Sequence, residues 1–296
     1  MSWIAVDWGT SRLRVWIHDD AQVIALSSDD GMGTLAPAEF ERALLSLIEP
    51  HLRQDVVTPV ICCGMVGARQ GWSEAPYRSV PAAPPDATGA KRVTGTDPRM
   101  DVRILSGMSQ LQPADVMRGE ETQVAGFIAT QPEWDGVLCL PGTHSKWVHI
   151  SAGEIVSFRT FMTGEMFALL AKQSVLRHSV DAQDLDAEAF KTAVADTMSR
   201  PESMAGALFS LRAETLLDGL DPATARARLS GMLIGMELAA ARPYWLGQNI
   251  ALIGDGTLAS LYAAALQAQG VPTQTVDADA MTLRGLYSAY TAMKGT

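Results

Sequence analysis

The sequence predicts an α/β protein built of two related halves, each a mixed β-sheet flanked by helices. Three stretches carry that expectation. In residues 4–17 an apolar run reaches Asp7, Gly9 opens a tight turn with Thr10 and Ser11, and Arg14 to Ile17 alternates polar with apolar as a returning strand. Residues 137–150 repeat the grammar: an apolar strand, Gly142-Thr143, Ser145, Lys146, and a second alternating strand. Residues 249–262 then run strand, glycine turn (Gly254-Asp255-Gly256-Thr257) and helix. Repetition of one strand-turn-strand unit marks a duplicated half-domain.

The turns suggest the ligand. Backbone amides of a glycine turn, with hydroxyls such as Thr10 and Ser11, surround an anionic oxygen, and a strand-end carboxylate such as Asp7 suits a magnesium ion or its water shell. Phosphate and metal together indicate a nucleotide. Gly254 and Gly256 lack side chains that would keep backbone away from a flat ligand such as adenine or its ribose. Taken singly, each stretch also reads as an ordinary tight turn or αβ corner.

Length and charge agree with a soluble enzyme. A chain of 296 residues buries roughly three quarters of its unfolded surface, enough for two lobes with their own cores. The formal net charge of -10, with Lys and Arg scattered, argues against a nucleic-acid surface. Cys62, Cys63 and Cys139 show no C-x-x-C or zinc spacing and read as buried thiols of a reducing compartment. No signal peptide is visible, and the apolar stretch 231–246 is interrupted by Glu237 and Arg242, so the expectation is a cytoplasmic protein without a membrane partner.

In chain order, residues 22–27 form a third strand between the turns His18-Asp19-Asp20 and Asp29-Asp30-Gly31. A helix opens at Pro37, places Phe40, Ala43, Leu44, Leu47 and Ile48 on one face, and ends near Pro50. Residues 59–63 make the next strand. Gly64 to Trp72 follows at once, either as a substrate loop at a sheet end or as a glycine-rich connector with Trp72 packed down. Arg69 offers a guanidinium to a carboxylate. Residues 76–98 read as an irregular excursion before a short strand at 102–105.

Gly119, Glu120 and Glu121 begin a helix that ends before Pro132. Acids there complement the helix dipole by roughly 0.3 to 1 kcal/mol each. Their place one helix before the second hairpin also makes either a candidate base for a substrate hydroxyl. In the second half, residues 154–158 give a strand, and Thr163-Gly164-Glu165 is expected to cap a helix carrying Met166, Phe167 and Leu170, with 160–165 closing over a cleft. Residues 187–241 are helical with breaks at Arg200-Pro201 and 218–222, residues 274–276 form a last strand, and 281–293 a closing helix. The expected division falls between an N-terminal lobe, 1–132, and a C-terminal lobe, 133–296.

The two hairpins, the acid-bearing helix between them and the late glycine element resemble the actin, hexokinase and heat-shock chaperone superfamily. More closely, Asp7-Trp8-Gly9-Thr10-Ser11, Gly64-Met65 with Gly71-Trp72 and Tyr77, residues 117–123, residues 140–147 and Phe161-Met162-Thr163-Gly164-Glu165 resemble the bacterial 2-dehydro-3-deoxygalactonokinases. The resemblance implies two actin-like, ribonuclease H-like lobes with an ATP cleft between them, and phosphorylation of the C6 hydroxyl of 2-dehydro-3-deoxy-D-galactonate by ATP with Mg2+ in galactonate breakdown. It implies Asp7, Gly9, Thr10 and Ser11 at the first phosphate loop, Asp7 at the metal, and Gly142, Thr143 and Ser145 at the second loop. Gly254, Gly256 and Thr257 then approach the adenosine, and Glu121 is the base with Glu120 in reserve. Gly64, Met65, Arg69, Trp72 and Glu165 face the sugar acid, whose carboxylate could meet Arg69, Arg12 or Arg159. A homodimer is left open. An exopolyphosphatase-like hydrolase or an ATP-driven switch would use the same hairpins.

Overall fold

Alternation builds the first sheet. In the computed structural model of the chain, which describes residues 2–19, 22–254 and 256–295, Leu13, Val15 and Ile17 are buried and the residues between them partly exposed. Asp20 of the expected first turn and Asp255 of the third glycine turn lie outside the described residues.

The strands are β1 (Trp3–Trp8), β2 (Leu13–His18), β3 (Val23–Ser28), β4 (Thr58–Gly64), β5 (Tyr77–Ser79), β6 (Lys91–Arg92), β7 (Met100–Ile104), β8 (Gly107–Leu111), β9 (Ala114–Met117), β10 (Gly136–Leu140), β11 (Ser145–Ser151), β12 (Glu154–Phe161), β13 (Ile250–Ile253) and β14 (Thr273–Val276). The helices are α1 (Phe40–Ile48), α2 (Glu120–Thr130), α3 (Thr163–Gln173), α4 (Ala187–Ser199), α5 (Met204–Leu217), α6 (Pro222–Ala240), α7 (Arg242–Trp245), α8 (Gly256–Ala268) and α9 (Ala278–Lys294).

The duplication is visible in strand order. One sheet runs β3-β2-β1-β4-β7-β6 and another β12-β11-β10-β13-β14. In the first, β1 is antiparallel to β2 and parallel to β4, which is parallel to β7. In the second, β10, β13 and β14 are parallel, while the short links from β10 to β11 and from β11 to β12 permit only antiparallel neighbours. Setting the two-residue β6 aside, both sheets are a meander followed by two parallel strands reached by crossovers. This is the ribonuclease H-like order of the actin-like ATPases.

The chain divides into two compact units, Met1–Asp135 with Ile150–Ser157 and Asp277–Thr296, and Gly136–His149 with Phe158–Val276. This differs from a single cut at 132/133. The closing helix α9 groups with the first unit because it packs along α2, where a Cβ on Gly126 would stand 2.0 Å from the Met281 carbonyl oxygen and one on Gly285 1.9 Å from that of Thr122. The tip of the β11–β12 hairpin joins the same unit through an isolated bridge between Ala82 and Ile155.

Burial follows the pattern. Ile4, Val6, Trp8, Phe40 and Leu44 anchor one core and Val137, Trp147, Ile234 and Tyr262 another. Cys62, Cys63 and Cys139 are buried and unbridged. Residues 77–79, expected to lie in an irregular excursion, form β5, which joins β8 and β9 in a third, three-stranded sheet. Among the described residues no helix is long and apolar enough to cross a membrane.

Candidate active site

The first glycine turn is stiffened from behind. The Gly9 N–H donates to the Arg12 carbonyl at 2.9 Å, so it is spent inside the hairpin, and the Gly9 and Thr10 carbonyls accept from the Met32 and Gly33 amides at 3.0 and 2.8 Å. Gly31 packs so closely that a Cβ there would lie 2.3 Å from the Ser11 carbonyl carbon. Thr10 and Ser11 stay exposed. At the end of β1, one Asp7 oxygen accepts from Arg14, and the Cys63 thiol lies 3.6 Å from the other. Arg14 also donates to Asp279 at the start of α9. Burial opposes the charge on Arg14, but the two carboxylates outweigh it and raise its pKa.

Two glycines let the site close up. Gly64, at φ 89°, brings the end of β4 so near β1 that a Cβ would lie 2.6 Å from the Trp8 carbonyl oxygen, and Gly119, at φ 108°, turns the chain into α2. Between them lies a cavity of about 170 Å³ lined by Asp7, Gly9, Gly64, Met65, Arg118, Glu120, Gln123 and Thr282.

The acids separate here. Glu121 is 1% exposed, and both its carboxylate oxygens take the Gly119 N–H at 2.8 and 2.7 Å. Burial, with Glu120 beside it, pushes its pKa up to about 8. It is a buried anchor of the turn. Glu120 is only partly buried, accepts the Arg118 N–H at 3.1 Å, and lines the cavity. Of the two acids, Glu120 lines the cavity and Glu121 does not.

The arginines are also reordered. Arg69 is exposed and 3.7 Å from Glu74, Arg12 is exposed and 3.7 Å from Asp29, and Arg159 is exposed; none lines the cavity. Arg118 does. Its guanidinium lies 4.3 Å from the Tyr77 ring centroid and donates through Nη2 to the Ala75 carbonyl at 2.7 Å, while Nε and Nη1 are buried with no hydrogen-bond partner among the described residues. The unanticipated small sheet places it, since β9 ends at Met117 and β5 holds Tyr77. Its nearest sequence signal is its place before Gly119-Glu120. Trp72 packs against the core, 6.4 Å from Phe40 and 6.2 Å from Trp8 between ring centroids, so it anchors the loop and does not line the cavity.

In the second unit, the turn after β10 meets the start of α3. A Cβ on Gly164 would stand 2.3 Å from the Gly142 carbonyl oxygen, the Glu165 N–H donates to the Thr143 carbonyl at 2.9 Å, and His144 Nε2 lies 2.6 Å from the Glu165 carboxylate. Glu165 is thus tied to this turn and grouped apart from Gly64 and Met65. A cavity of about 350 Å³ opens beside the turn, walled by Gly142, Thr143, Thr163, Phe167, Arg226, Leu233, Ile234, Thr257, Leu261 and Tyr262. Apolar walls with a hydroxyl fringe suit a flat heteroaromatic group.

Three expectations change in this unit. Ser145 is fully buried and shares a 2.9 Å hydrogen bond with the Tyr262 hydroxyl, so it does not face the cavity. Thr163 does not cap α3; it is the first helical residue, and its hydroxyl donates to Glu237. Gly254 gives its N–H to the Val276 carbonyl at 3.0 Å, and Gly256, at φ 60°, starts α8; of this element's expected site residues Thr257 lines the cavity.

The structure thus gathers Asp7, Gly9, Gly64, Met65 and Glu120 around one cavity and Gly142, Thr143 and Thr257 around another. Among the described residues no group of three His, Cys, Asp or Glu side chains forms a protein-only metal site. Asp7, at the cavity, fits the single carboxylate with which Mg2+ can be held when phosphate oxygens and water complete its shell.

The profile of the 2-keto-3-deoxy-galactonokinase family matches residues 7–289. The chain is similar to the Probable 2-dehydro-3-deoxygalactonokinase DgoK1 of Rhizobium meliloti (strain 1021), 42% identical over 98% of this chain and 96% of that one. It is also similar to the 2-dehydro-3-deoxygalactonokinase of Escherichia coli (strain K12), 33% identical over 97% and 96%. A crystal structure of a protein assigned as a 2-dehydro-3-deoxygalactonokinase from Sinorhizobium meliloti superposes with a TM-score of 0.92 at 40% identity, covering 98% of this chain and 99% of that one.

Proposed function

Since the chain belongs to the 2-keto-3-deoxy-galactonokinase family, we propose that it transfers the γ-phosphoryl group of ATP to the C6 hydroxyl of 2-dehydro-3-deoxy-D-galactonate in galactonate breakdown. The observation that carries the site reading is the meeting of Asp7, Glu120 and Arg118 at one cavity. It supplies what a sugar-acid kinase needs on the acceptor side: a proton acceptor, a carboxylate for a metal-bound phosphate and a cation for the substrate carboxylate.

Glu120 takes the hydroxyl proton as that oxygen attacks the γ-phosphorus, and ADP leaves with the electrons of the broken P–O bond. Arg118, which lines the cavity, orients the sugar acid by its carboxylate. Asp7, steadied by Arg14, would hold Mg2+ or its water shell; bound with ATP, that ion neutralises phosphate charge. The amides and hydroxyls at Thr10-Ser11 and Gly142-Thr143 serve phosphate oxygens, and the apolar cavity of the second unit receives the adenosine. Most of the rate enhancement is then positioning and electrostatics.

The test is a coupled ADP-release assay with Mg-ATP, offering 2-dehydro-3-deoxygalactonate, 2-dehydro-3-deoxygluconate, common hexoses or no acceptor. Strong stimulation by the first acceptor is expected. Equal ADP release without any acceptor would reject the kinase reading in favour of a hydrolase or switch, and preference for a plain hexose would reject the acceptor.

A further inference from the structure

Behind the second unit's cavity stands a carboxylate that the proposed reaction does not use. Glu237, in the middle of α6, is 1% exposed. Its Oε1 accepts the Trp147 indole N–H from β11 at 2.8 Å, and its Oε2 accepts the Tyr262 hydroxyl from α8 at 2.6 Å and the Thr163 hydroxyl from α3. Ser145 supports the arrangement through its 2.9 Å hydrogen bond to Tyr262. Burial raises the Glu237 pKa against the opposing pull of these donors.

Two of the bonded elements, α3 and α8, wall the cavity, as does α6, which carries Glu237 itself. Thr163 and Tyr262 line it themselves. Trp147 sits on the strand that leaves the Gly142-Thr143 turn, and Thr163 begins the helix whose Glu165 N–H is fixed to Thr143. A buried acid costs much more than an apolar residue of its size unless its oxygens are occupied. A carboxylate offers two oxygens and about four acceptor positions, so it can receive three donors converging from three elements; an amide has one acceptor oxygen.

We propose that Glu237 is the positioning residue of the nucleotide cavity, fixing the spacing of β11, the start of α3 and α8 by accepting from Trp147, Thr163 and Tyr262 at once. This rests on reading that cavity as the nucleotide site. Glu237→Gln keeps the volume and one acceptor oxygen but forces the hydroxyl donors to rearrange. It should raise the KM for ATP, and the Kd of a non-hydrolysable ATP analogue, roughly tenfold, the scale of one lost hydrogen bond to a charged group. Turnover at saturating ATP and the KM for the sugar acid should stay within about twofold, since the acceptor groups lie in the other unit.

Tyr262→Phe removes a single donor at nearly constant size and should shift the same constants in the same direction by less, which keeps the test open if Glu237→Gln fails to fold. Unchanged ATP constants in a folded Glu237→Gln or Tyr262→Phe protein, or an equal rise in the ATP and sugar-acid constants, would overturn the proposal. Leu261→Trp, which fills the cavity, separates the two levels. If it leaves ATP binding intact, the cavity is not the nucleotide site and both readings fall. If it weakens ATP while Glu237→Gln does not, the role of Glu237 alone falls.

Discussion

Gly126 lies backbone to backbone against Met281, with no room between α2 and α9 for a methyl group. The contact does more than pack two helices. α2 begins at Glu120, and α9 supplies Thr282 to the same cavity and Asp279 to Arg14. The axial spacing of this helix pair therefore sets the width of the acceptor cavity.

Gly126→Ala should destabilise the protein although alanine is the better helix former by about 1 kcal/mol. A Cβ 2.0 Å from a carbonyl oxygen cannot be absorbed by a side-chain rotation, and overpacking of this kind costs about 1–3 kcal/mol. A lower midpoint in thermal unfolding, with weaker use of the sugar acid at 25 °C, is the expected result. A midpoint at or above that of the parent would show that the helices part freely.

The two adjacent acids should part company kinetically. Glu120→Gln, at the cavity wall, should cut turnover by about a hundredfold or more with ATP binding retained, the loss expected of a general base. Glu121→Gln should retain most of its turnover and lose stability. Steady-state kinetics on both variants decide the matter, and the reverse order would restore Glu121 as the base.

Glu121 also makes a pH signature. Its pKa is raised from 4.5 to about 8 in the fold, so between those values the folded state holds a proton that the unfolded chain has released. The stabilising contribution is complete below pH 4.5 and is lost as pH rises through about 8. Urea midpoints of the parent protein should fall from pH 5.5 to 8.5 more steeply than those of Glu121→Gln. Parallel slopes would remove this assignment.

Arg118→Met should raise the KM for the sugar acid by roughly a hundredfold, as expected when a carboxylate loses a charged hydrogen-bond partner, and leave the KM for ATP near its parent value. Arg69→Ala, at an exposed site in a loose pair with Glu74, should change neither by more than about twofold. Kinetics with each substrate varied in turn would show it, and a larger acceptor defect in the Arg69 variant would move the carboxylate site to the 64–72 loop.

Asp7→Asn should raise the Mg2+ concentration needed for half-maximal activity by about tenfold or more, since the ion loses an anionic ligand or the anchor of its water shell. Titration of Mg2+ at fixed ATP measures this, and an unchanged requirement would leave Asp7 as a structural partner of Arg14 only.

Much of this architecture was legible in residue order because its signals are local. The alternation in 4–17 and 137–150 specifies the hairpins, and Pro201, Gly219 and Pro222 punctuate the helices of the second unit. What escaped depends on distant partners. Glu120 and Glu121 are neighbours, and which of them turns to the cavity follows from the φ of Gly119 and from Gly64 across the sheet. Ser145 reads as a phosphate-loop hydroxyl until Tyr262, 117 positions away, claims it. Arg118 is defined by Tyr77 and Ala75, held beside it by the short β5, β8 and β9, and burial does not alternate along β5 or β8. The amphipathic α9 advertises a buried face but not the unit that buries it.

The assignment of Ile150–Ser157 and Asp277–Thr296 to the first unit bears on how this protein can be made. The polypeptide passes from one unit to the other four times, at 135/136, 149/150, 157/158 and 276/277. During synthesis the first unit cannot be completed when its opening 135 residues emerge, because α9, the helix that locks α2, follows the second unit in the chain. Vectorial, unit-by-unit maturation is closed to such a chain. The nascent acceptor cavity must wait until α9 has been made, and a fragment cut at any single junction inherits an unfinished half.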